Sequence, residues 1–245
     1  MSKYLNVFNT LAEYQAFSAS TEYVQPNIAL VKETNALYYD YGDNQPQADL
    51  SDYKLETEKI SVGGNKYGNS AITKINYIPN GITSLQDAFG GFTSLVSVPE
   101  IPSSVTNMYN TFKNCSSLVN APVIPNSVTR MSSTFEGCSS LVNAPNIPDS
   151  VTNIEYTFEG CSSLVNVPVI PNSVTRMSST FVGCTSLKEV TFLPTTPPRY
   201  SDTLTDCSKL ETIYVPDSAV SAYKTATGWS QFASMFKPLS SKPSE

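Results

Sequence analysis

Residues 124–145, IPNSVTRMSSTFEGCSSLVNAP, recur along the chain almost letter for letter, and this repetition decides the fold. Equivalent residues lie 23 positions apart from residue 78 to about residue 216. The period is clearest in a column of phenylalanines, which are Phe89, Phe112, Phe135, Phe158 and Phe181. Self-similarity at a fixed period of roughly 20–50 residues is the signature of stacked repeats. The sequence therefore predicts a solenoid.

Two prolines in each unit argue against a helix. The apolar positions of one unit recur every three or four residues, as they would on a helix. Pro122, Pro125 and their equivalents would break any helix longer than two turns. The unit is therefore predicted to be a coil of short extended pieces. One coil cannot bury its own Phe, Met, Leu and Ile side chains, so neighbouring coils must stack.

The unit resembles the BspA-like, or Treponema-type, leucine-rich repeats, whose units run approximately LPxxLxxIxxxAFxxCxSLxxI. Residues 124–145 match this pattern in register. The resemblance implies a mainly β fold, a right-handed leucine-rich-repeat solenoid of 23-residue coils, with a parallel sheet at SLVNAPVIP and its equivalents. The segment ETIYVPDSAVSAYKTATGWSQFASMFKPL resembles the closing element of such proteins, a helical cap in which Val220, Tyr223 and Trp229 cover the last coil. A polar tail is expected from Leu239 onward.

The chain is predicted to have four parts. Residues 1–48 lack the repeat and form a small α+β module, with a capping box at Thr10 starting a helix to about Ser18. Residues 27–31 and 36–39 flank a turn and indicate a hairpin. The other parts are a linker and N-terminal solenoid cap at 49–77, the solenoid at 78–216, and the C-terminal cap and tail at 217–245.

The N-terminal module, FNTLAEYQAFSASTEYVQPNIALVKETNALYYDY, resembles the leader of structural proteins of crAss-like phages that infect gut Bacteroidales. That resemblance implies a virion protein whose residues 1–48 dock on other virion structural proteins of the capsid, portal or tail. The solenoid would then project as a fibre or decoration domain and adhere to a host surface protein or glycan. The alternative is a BspA-like bacterial cell-surface adhesin or protein-interaction module, in which the first 48 residues are only a cap.

Composition disfavours several other partners. A net charge of −6 argues against nucleic acid, because phosphate binding requires clustered Lys and Arg. No stretch approaches the roughly 18 apolar residues of a membrane span, and the first residues, MSKYLNVFNTLAEYQ, lack the apolar core of a signal peptide. No membrane insertion or classical export is therefore expected. A homo-oligomer stays possible, although no sustained heptad indicates a trimer.

Catalysis is also disfavoured. The chain has no histidine, which removes the commonest general base and metal ligand. Its cysteines, Cys115, Cys138, Cys161, Cys184 and Cys207, stand 23 residues apart and would form a line rather than a zinc site. Buried apolar filler is their predicted role. We expect no cofactor and no metal, and an enzyme is the third and weakest hypothesis.

Contact residues are predicted where side chains point outward from the coils. The Asn120, Asn143 and Asn166 column is expected to hydrogen-bond within itself and to serve the structure. The segment PVIPNSVTRMSSTF occurs identically at 122–135 and 168–181, so the true unit is a 46-residue pair. The candidate binding residues, on a concave or lateral face, are Glu100, Tyr109, Val123, Arg130, Asn146, Glu155, Tyr156, Arg176 and Phe192.

Overall fold

The computed structural model describes residues 73–75, 78, 82–167 and 169–243 with their side chains, and the backbone of five short strands nearer the N-terminus. Those strands are β1 (Leu5–Phe8), β2 (Ile28–Val31), β3 (Ala36–Tyr39), β4 (Leu55–Glu56) and β5 (Lys59–Ile60). β2 and β3 are antiparallel and place Leu30 opposite Leu37, which confirms the predicted hairpin. β1 runs parallel to β2, and β4 is antiparallel to β5. The predicted helix from Thr10 to about Ser18 lies outside the described residues.

Neighbouring repeats are joined by backbone hydrogen bonds. The amide of Phe112 donates to the carbonyl of Thr134 at 2.9 Å, and the amide of Phe135 donates to the carbonyl of Thr157 at 3.0 Å. Parallel bridges pair Asn107 with Arg130, residues that are 23 apart in the sequence. The fold is therefore a stack of repeats made mostly of turns, with few helices and short strands.

The phenylalanine column forms a continuous stack in the core. The rings of Phe112 and Phe135 have centroids 5.6 Å apart and planes 12° from parallel. The rings of Phe135 and Phe158 are 5.8 Å apart and 4° from parallel. All three side chains are fully buried. The equal spacing of these phenylalanines in the sequence predicts this ladder, and the structure confirms it.

Buried side-chain donors also reach from each repeat to the one before it. The Thr134 hydroxyl donates to the carbonyl of Met108 at 2.8 Å, and its equivalents do the same in the neighbouring repeats. The Ser127 hydroxyl donates to the carbonyl of Val105 at 2.6 Å. Because buried hydroxyls are costly without a partner, these bonds fix the registry of successive repeats. The equivalent Ser173 hydroxyl is buried without a hydrogen-bond partner among the described residues.

The predicted parallel sheet is smaller than expected. At SLVNAPVIP the structure has single bridges, Asn120 to Asn143 and Asn143 to Asn166, instead of strands. The reason is that Pro122 and its equivalents lack the amide hydrogen needed to extend a ladder. Among the described repeats, continuous strands begin at Glu189, where three parallel strands stand in the order β6 (Glu189–Thr191), β7 (Thr212–Val215) and β8 (Phe236–Pro238).

The prediction that Phe192 faces outward is wrong. Its side chain is 0% exposed. Sequence equivalence pairs Phe192 with Val169, but the structure bridges it to Ile170, which shifts the register by one residue. Without a proline between Glu189 and Phe192, the chain continues as a strand and turns the ring inward. The ring centroid lies 5.3 Å from that of Trp229.

The C-terminal segment covers the last repeat with short helices. They are a 3-10 turn at Asp217–Ala219, helix α1 at Val220–Thr225, and 3-10 turns at Ser230–Phe232 and Leu239–Ser241. Tyr223 and Trp229 are fully buried, and Val220 is half-buried against the core. The Tyr223 hydroxyl donates to the carbonyl of Pro194 at 3.0 Å, and the Trp229 indole donates to the carbonyl of Pro198 at 2.7 Å. The predicted cap is confirmed.

The polar tail expected from Leu239 is instead part of this cap. The backbone amide of Ser240 donates to the Asp217 carboxylate at 3.0 Å. The Lys242 ammonium lies 3.2 Å from the Glu189 carboxylate and donates to the Thr191 hydroxyl at 3.0 Å. These contacts tie the end of the chain to β6.

Four cysteines of the column are buried as predicted, Cys207 is half-buried, and none of the five thiols is in a disulfide. The Cys138 thiol donates to the carbonyl of Phe112 at 3.1 Å, and each of the other four thiols donates to the phenylalanine carbonyl 26 residues before it. Burial raises the pKa of Cys115 and of Cys207 from the ordinary 9.0 to about 12. The same cause raises the pKa of Cys138, Cys161 and Cys184.

Replacement of Phe135 by alanine should lower the free energy of unfolding by about 3–5 kcal/mol, because it leaves a cavity in the middle of the ring stack. The measurement is guanidinium denaturation followed through Trp229, the single tryptophan of the chain. Val123→Thr is the control. Val123 is 79% exposed, so this variant should unfold at the same midpoint as the parent chain. An unchanged Trp229 midpoint in F135A would show that the repeats do not unfold together.

Alkaline pH should destabilise the fold through the cysteines. The folded thiols keep their protons above pH 9.0, where the thiols of the unfolded chain lose theirs. Their contribution to stability is complete below pH 9.0 and declines as the pH rises toward about 12. The measurement is the urea midpoint as a function of pH for the parent chain and for Cys115→Ala, whose decline should be shallower. An equal decline in both chains would contradict this role of the thiol.

Candidate functional site

One exposed surface lies on either side of the bridged asparagines and is rich in valine. We call it the valine face. Its members are Val96, Val119, Val142 and Val165 in one column, and Glu100, Val123, Asn146 and Val169 in another. Val123 is the most exposed large apolar residue, and all members except the half-buried Val142 are exposed. Leu118 and Ile124 point into the core on either side, so the backbone of each repeat presents its valines outward.

Three predicted contact residues, Glu100, Val123 and Asn146, lie on the valine face and are exposed as expected. One pair of the neighbouring asparagine column makes the side-chain hydrogen bond that the sequence predicts. Asn166 donates its side-chain amide to the side-chain oxygen of Asn143 at 2.9 Å. The asparagines therefore brace the repeats beside the valines.

A second column of bridges joins Asn107 to Arg130 and Asn153 to Arg176. Apart from the buried Phe192, the other predicted contact residues lie within three residues of these bridged positions, and they are Tyr109, Arg130, Glu155, Tyr156 and Arg176. Arg176 and Glu155 form a two-pronged ion pair, with Nη2 of Arg176 2.9 Å from Oε2 and 3.1 Å from Oε1 of Glu155. Nε of Arg176 donates to the same Oε1 at 3.2 Å. Tyr109, Arg130 and Tyr156 are exposed nearby in the stack. No hydrogen bond or ion pair within the described ranges joins this group to the valine face.

Sequence reasoning missed the backbone conformation of this second surface. Six residues at equivalent positions have a left-handed backbone, with φ between 52° and 59°, and they are Asp87, Asn110, Ser133, Tyr156, Ser179 and Asp202. Asp, Asn and Ser tolerate this conformation at a turn. Their recurrence every 23 residues, mostly as Asp, Asn or Ser, was the available signal. Tyr156 is the exception, because a bulky side chain is unusual there.

Two kinds of site are not found in the part of the chain that the structure describes. No group of three or more His, Cys, Asp or Glu side chains is placed to hold a metal ion there. Its helices are also too short or too polar for any of them to cross a lipid bilayer.

Comparison with solved structures finds other leucine-rich repeat proteins. A crystal structure from Eubacterium ventriosum matches with a TM-score of 0.48 and 19% identity, over 89% of this chain and 55% of that one. The chain thus spans little more than half the length of that protein. A crystal structure from Bacteroides ovatus matches with a TM-score of 0.31 and 19% identity, over 80% of this chain and 71% of that one. No curated protein matches the sequence.

Comparison with protein families finds one matching repeat family. The pattern that defines the BspA type leucine rich repeat region matches in six copies, over residues 59–179 and 109–231. Together these ranges include more than half of the chain, and they contain both the valine face and the second column of bridges. The chain therefore belongs to the BspA-type leucine-rich-repeat family.

Proposed function

We propose that the repeats form a right-handed solenoid of 23-residue coils that serves as a protein-interaction module at a bacterial cell surface, and that it binds without catalysing a reaction. The observation that carries this proposal is the row of exposed valines, among them Val119, Val123 and Val169, on a buried and hydrogen-bonded stack. Family membership supports it, because stacked repeats present extended surfaces suited to large partners.

The valine face is suited to a macromolecule for a physical reason. Contiguous exposed apolar surface is uncommon on soluble proteins and marks sites of interaction. A partner that covers the face gains about 25 cal/mol for each Å² of apolar surface removed from water. Because neighbouring repeats fix the backbone, the valines lose little conformational freedom when they are covered.

A virion role is the second candidate, and it depends on the N-terminal module alone. The resemblance of residues 1–48 to phage leaders is the observation in its favour. Docking of residues 1–48 on other virion proteins stays a prediction, because only the backbone of β1, β2 and β3 is described there. The family match favours the cell-surface alternative.

A variant that removes the exposed valines should lose binding and keep the fold. The variant carries Val119→Thr, Val123→Asn, Val165→Thr and Val169→Asn, and the two asparagines copy Asn146 at the equivalent position. We expect fluorescently labelled full chain to bind cells of the source culture in flow cytometry, and the variant to bind at least about tenfold more weakly, a loss of about 1.4 kcal/mol.

The matched control is Asn126→Ser with Asn172→Ser, which changes exposed turn residues outside the valine face. Its binding should equal that of the parent chain, and all three proteins should unfold at the same Trp229 midpoint. Equal binding by the valine variant and the parent chain would refute the role of the valine face.

Mass spectrometry of density-gradient fractions should decide between the two settings. If the proposed cell-surface role is correct, the chain appears in the cell-envelope fraction of the source culture and not in the virus band. If the chain co-bands with the major capsid protein of purified virus particles, the virion hypothesis replaces it.

A further inference from the structure

The valine face is symmetric about its middle repeat, which carries Val142 and Asn146. One repeat away in either direction, both columns of the face carry valine. These four residues are Val119 and Val165 beside Val142, and Val123 and Val169 beside Asn146. The bridges of Asn143 to Asn120 and to Asn166 hold the three repeats in register. A face with this symmetry can match a second copy of itself that runs in the opposite direction.

The two ends of the face carry opposite charges. Lys188 is exposed and continues one valine column, because it follows the buried Leu187 as Val165 follows the buried Leu164. Glu100 begins the other column and is exposed as well. Neither Glu100 nor Lys188 forms an ion pair with another residue that the structure describes. Each end of the face therefore presents a charge that is open to a partner.

These charges cannot pair with each other within one molecule. Glu100 lies two repeats before the middle repeat, and Lys188 lies two repeats after it. At about 4.8 Å per repeat, four repeats separate them by about 19 Å along the stack. An ion pair requires the two groups to approach within about 4 Å. A partner that neutralises both must carry a cation near Glu100 and a carboxylate near Lys188.

An antiparallel second copy of the chain provides both groups. When two copies meet face to face about a two-fold axis through the middle repeat, each column faces its own equivalent in reverse order. Asn146 then faces Asn146 of the second copy, and Val123 faces Val169. The repeat of Glu100 faces the repeat of Lys188 at both ends of the interface. Valine thus meets valine, amide meets amide, and opposite charges meet.

Other arrangements match less well. In a parallel copy each column faces the other column in the same order, so that Val142 faces Asn146 and Glu100 faces Val96. The repeats of Glu100 and Lys188 do not meet in that arrangement. An antiparallel copy shifted by one repeat places Asn146 against a valine. The pattern of the face therefore favours one orientation and one register.

We propose that the valine face binds a second copy of this chain in the antiparallel arrangement, with Asn146 of each copy at the two-fold axis. The valines beside the axis exclude water, the two Asn146 amides hydrogen-bond to each other, and Glu100 pairs with Lys188 at either end. The proposal rests on the proposed function and names its partner. A chain at the surface of one cell would bind a chain at the surface of another.

The interface is small, and one pair of chains should bind weakly. Five repeats extend about 19 Å and four residues span about 13 Å, so each copy contributes roughly 250 Å². A standard protein interface has about 800 Å² on each side. We expect a Kd of about 0.1 mM for the isolated chain. Many copies on one cell would strengthen the contact by multivalent binding.

Disulfide cross-linking tests the arrangement. The variants Asn146→Cys, Val123→Cys and Val169→Cys place thiols at exposed positions, and diamide oxidises two facing thiols to a disulfide. We expect N146C to cross-link to itself, and V123C to cross-link to V169C at least about tenfold faster than to itself. Two V123C copies stand two repeats, or about 9.6 Å, apart, whereas a disulfide requires Cα atoms within about 7 Å. The parent chain is the control and should not cross-link, because its own thiols are buried or half-buried.

Charge reversal tests the end pairs. E100K and K188E should each weaken self-association about tenfold, because each brings like charges together at both ends. The double variant E100K/K188E should return to within about twofold of the parent chain, and this rescue cannot arise within one molecule. The measurement is sedimentation equilibrium of the full chain at up to about 1 mM. D149K and K224E make the same changes of charge at exposed positions outside the face and should leave self-association unchanged.

Four results would overturn the proposal. The first three are a parent chain that stays monomeric at about 1 mM, cross-linking of Val119→Cys to V123C in place of the N146C pair, and a double variant that associates no better than either single variant. The fourth concerns source cells from which the gene for this chain has been deleted. Labelled chain should lose its binding to these cells, and undiminished binding would mean that another surface molecule occupies the face.

Failure of this proposal is distinguishable from failure of the proposed function. Cell binding that depends on the valine face but persists on the deleted cells supports the proposed function and removes the second copy as the partner. Self-association through the face without any cell binding supports the second copy as the partner and removes the role in cell binding.

Discussion

Each repeat depends on its neighbours for many of the hydrogen bonds of its backbone. Prolines such as Pro122 and Pro125 prevent a helix within the repeat, so the amides of short extended segments must find carbonyls in the next repeat. The bond from Phe112 to Thr134 is one of a series that runs through the stack. Ring stacking and the hydrogen bonds of the threonine and cysteine side chains also join each repeat to its neighbour. Turns within each repeat satisfy other amides, such as that of Cys138, which donates to the carbonyl of Phe135. The remaining amides depend on the neighbouring repeat, and the stack exists as a whole.

This dependence separates the residues that hold the fold from those that face solvent. The buried columns repeat with little change, because each side chain must match its equivalents above and below. Exposed positions are free of that requirement. Glu100, Val123 and Asn146 occupy equivalent exposed positions and differ completely in chemistry. The variation between repeats is therefore concentrated where a partner would touch the molecule.

The sequence predicted the parts of the fold that follow from equal spacing. The phenylalanine stack, the buried cysteines and the burial of Tyr223 and Trp229 are all confirmed. It did not predict how far the parallel ladder extends, because that depends on where prolines remove amide hydrogens. The error at Phe192 has the same origin, since the strand from Glu189 to Thr191 shifts the register by one residue.

For the candidate surfaces, the sequence predicted which side chains are exposed but not the local backbone conformation. The outward positions of Val123, Asn146 and Arg130 follow from their places in the repeat. The left-handed backbone at Tyr156 does not, because no residue type at that position dictates it. The pairing of Arg176 with Glu155 also required the structure, since the two residues are 21 apart in the sequence while the repeat is 23 residues long.

The closing strand preserves the spacing of the repeats it covers. β8 places Phe236 beside Ile213, 23 residues earlier, and Ser240 bonds to Asp217 at the same interval. The cap therefore continues the spacing of the repeats, and its ring contacts are made with the last repeat, at Phe192. Gene duplication of one 46-residue pair upstream of that repeat would lengthen the stack by about 9.6 Å and leave the cap and the surface it covers as they are. The length of the stack is in this sense independent of its C-terminal cap, and selection can change one without rebuilding the other.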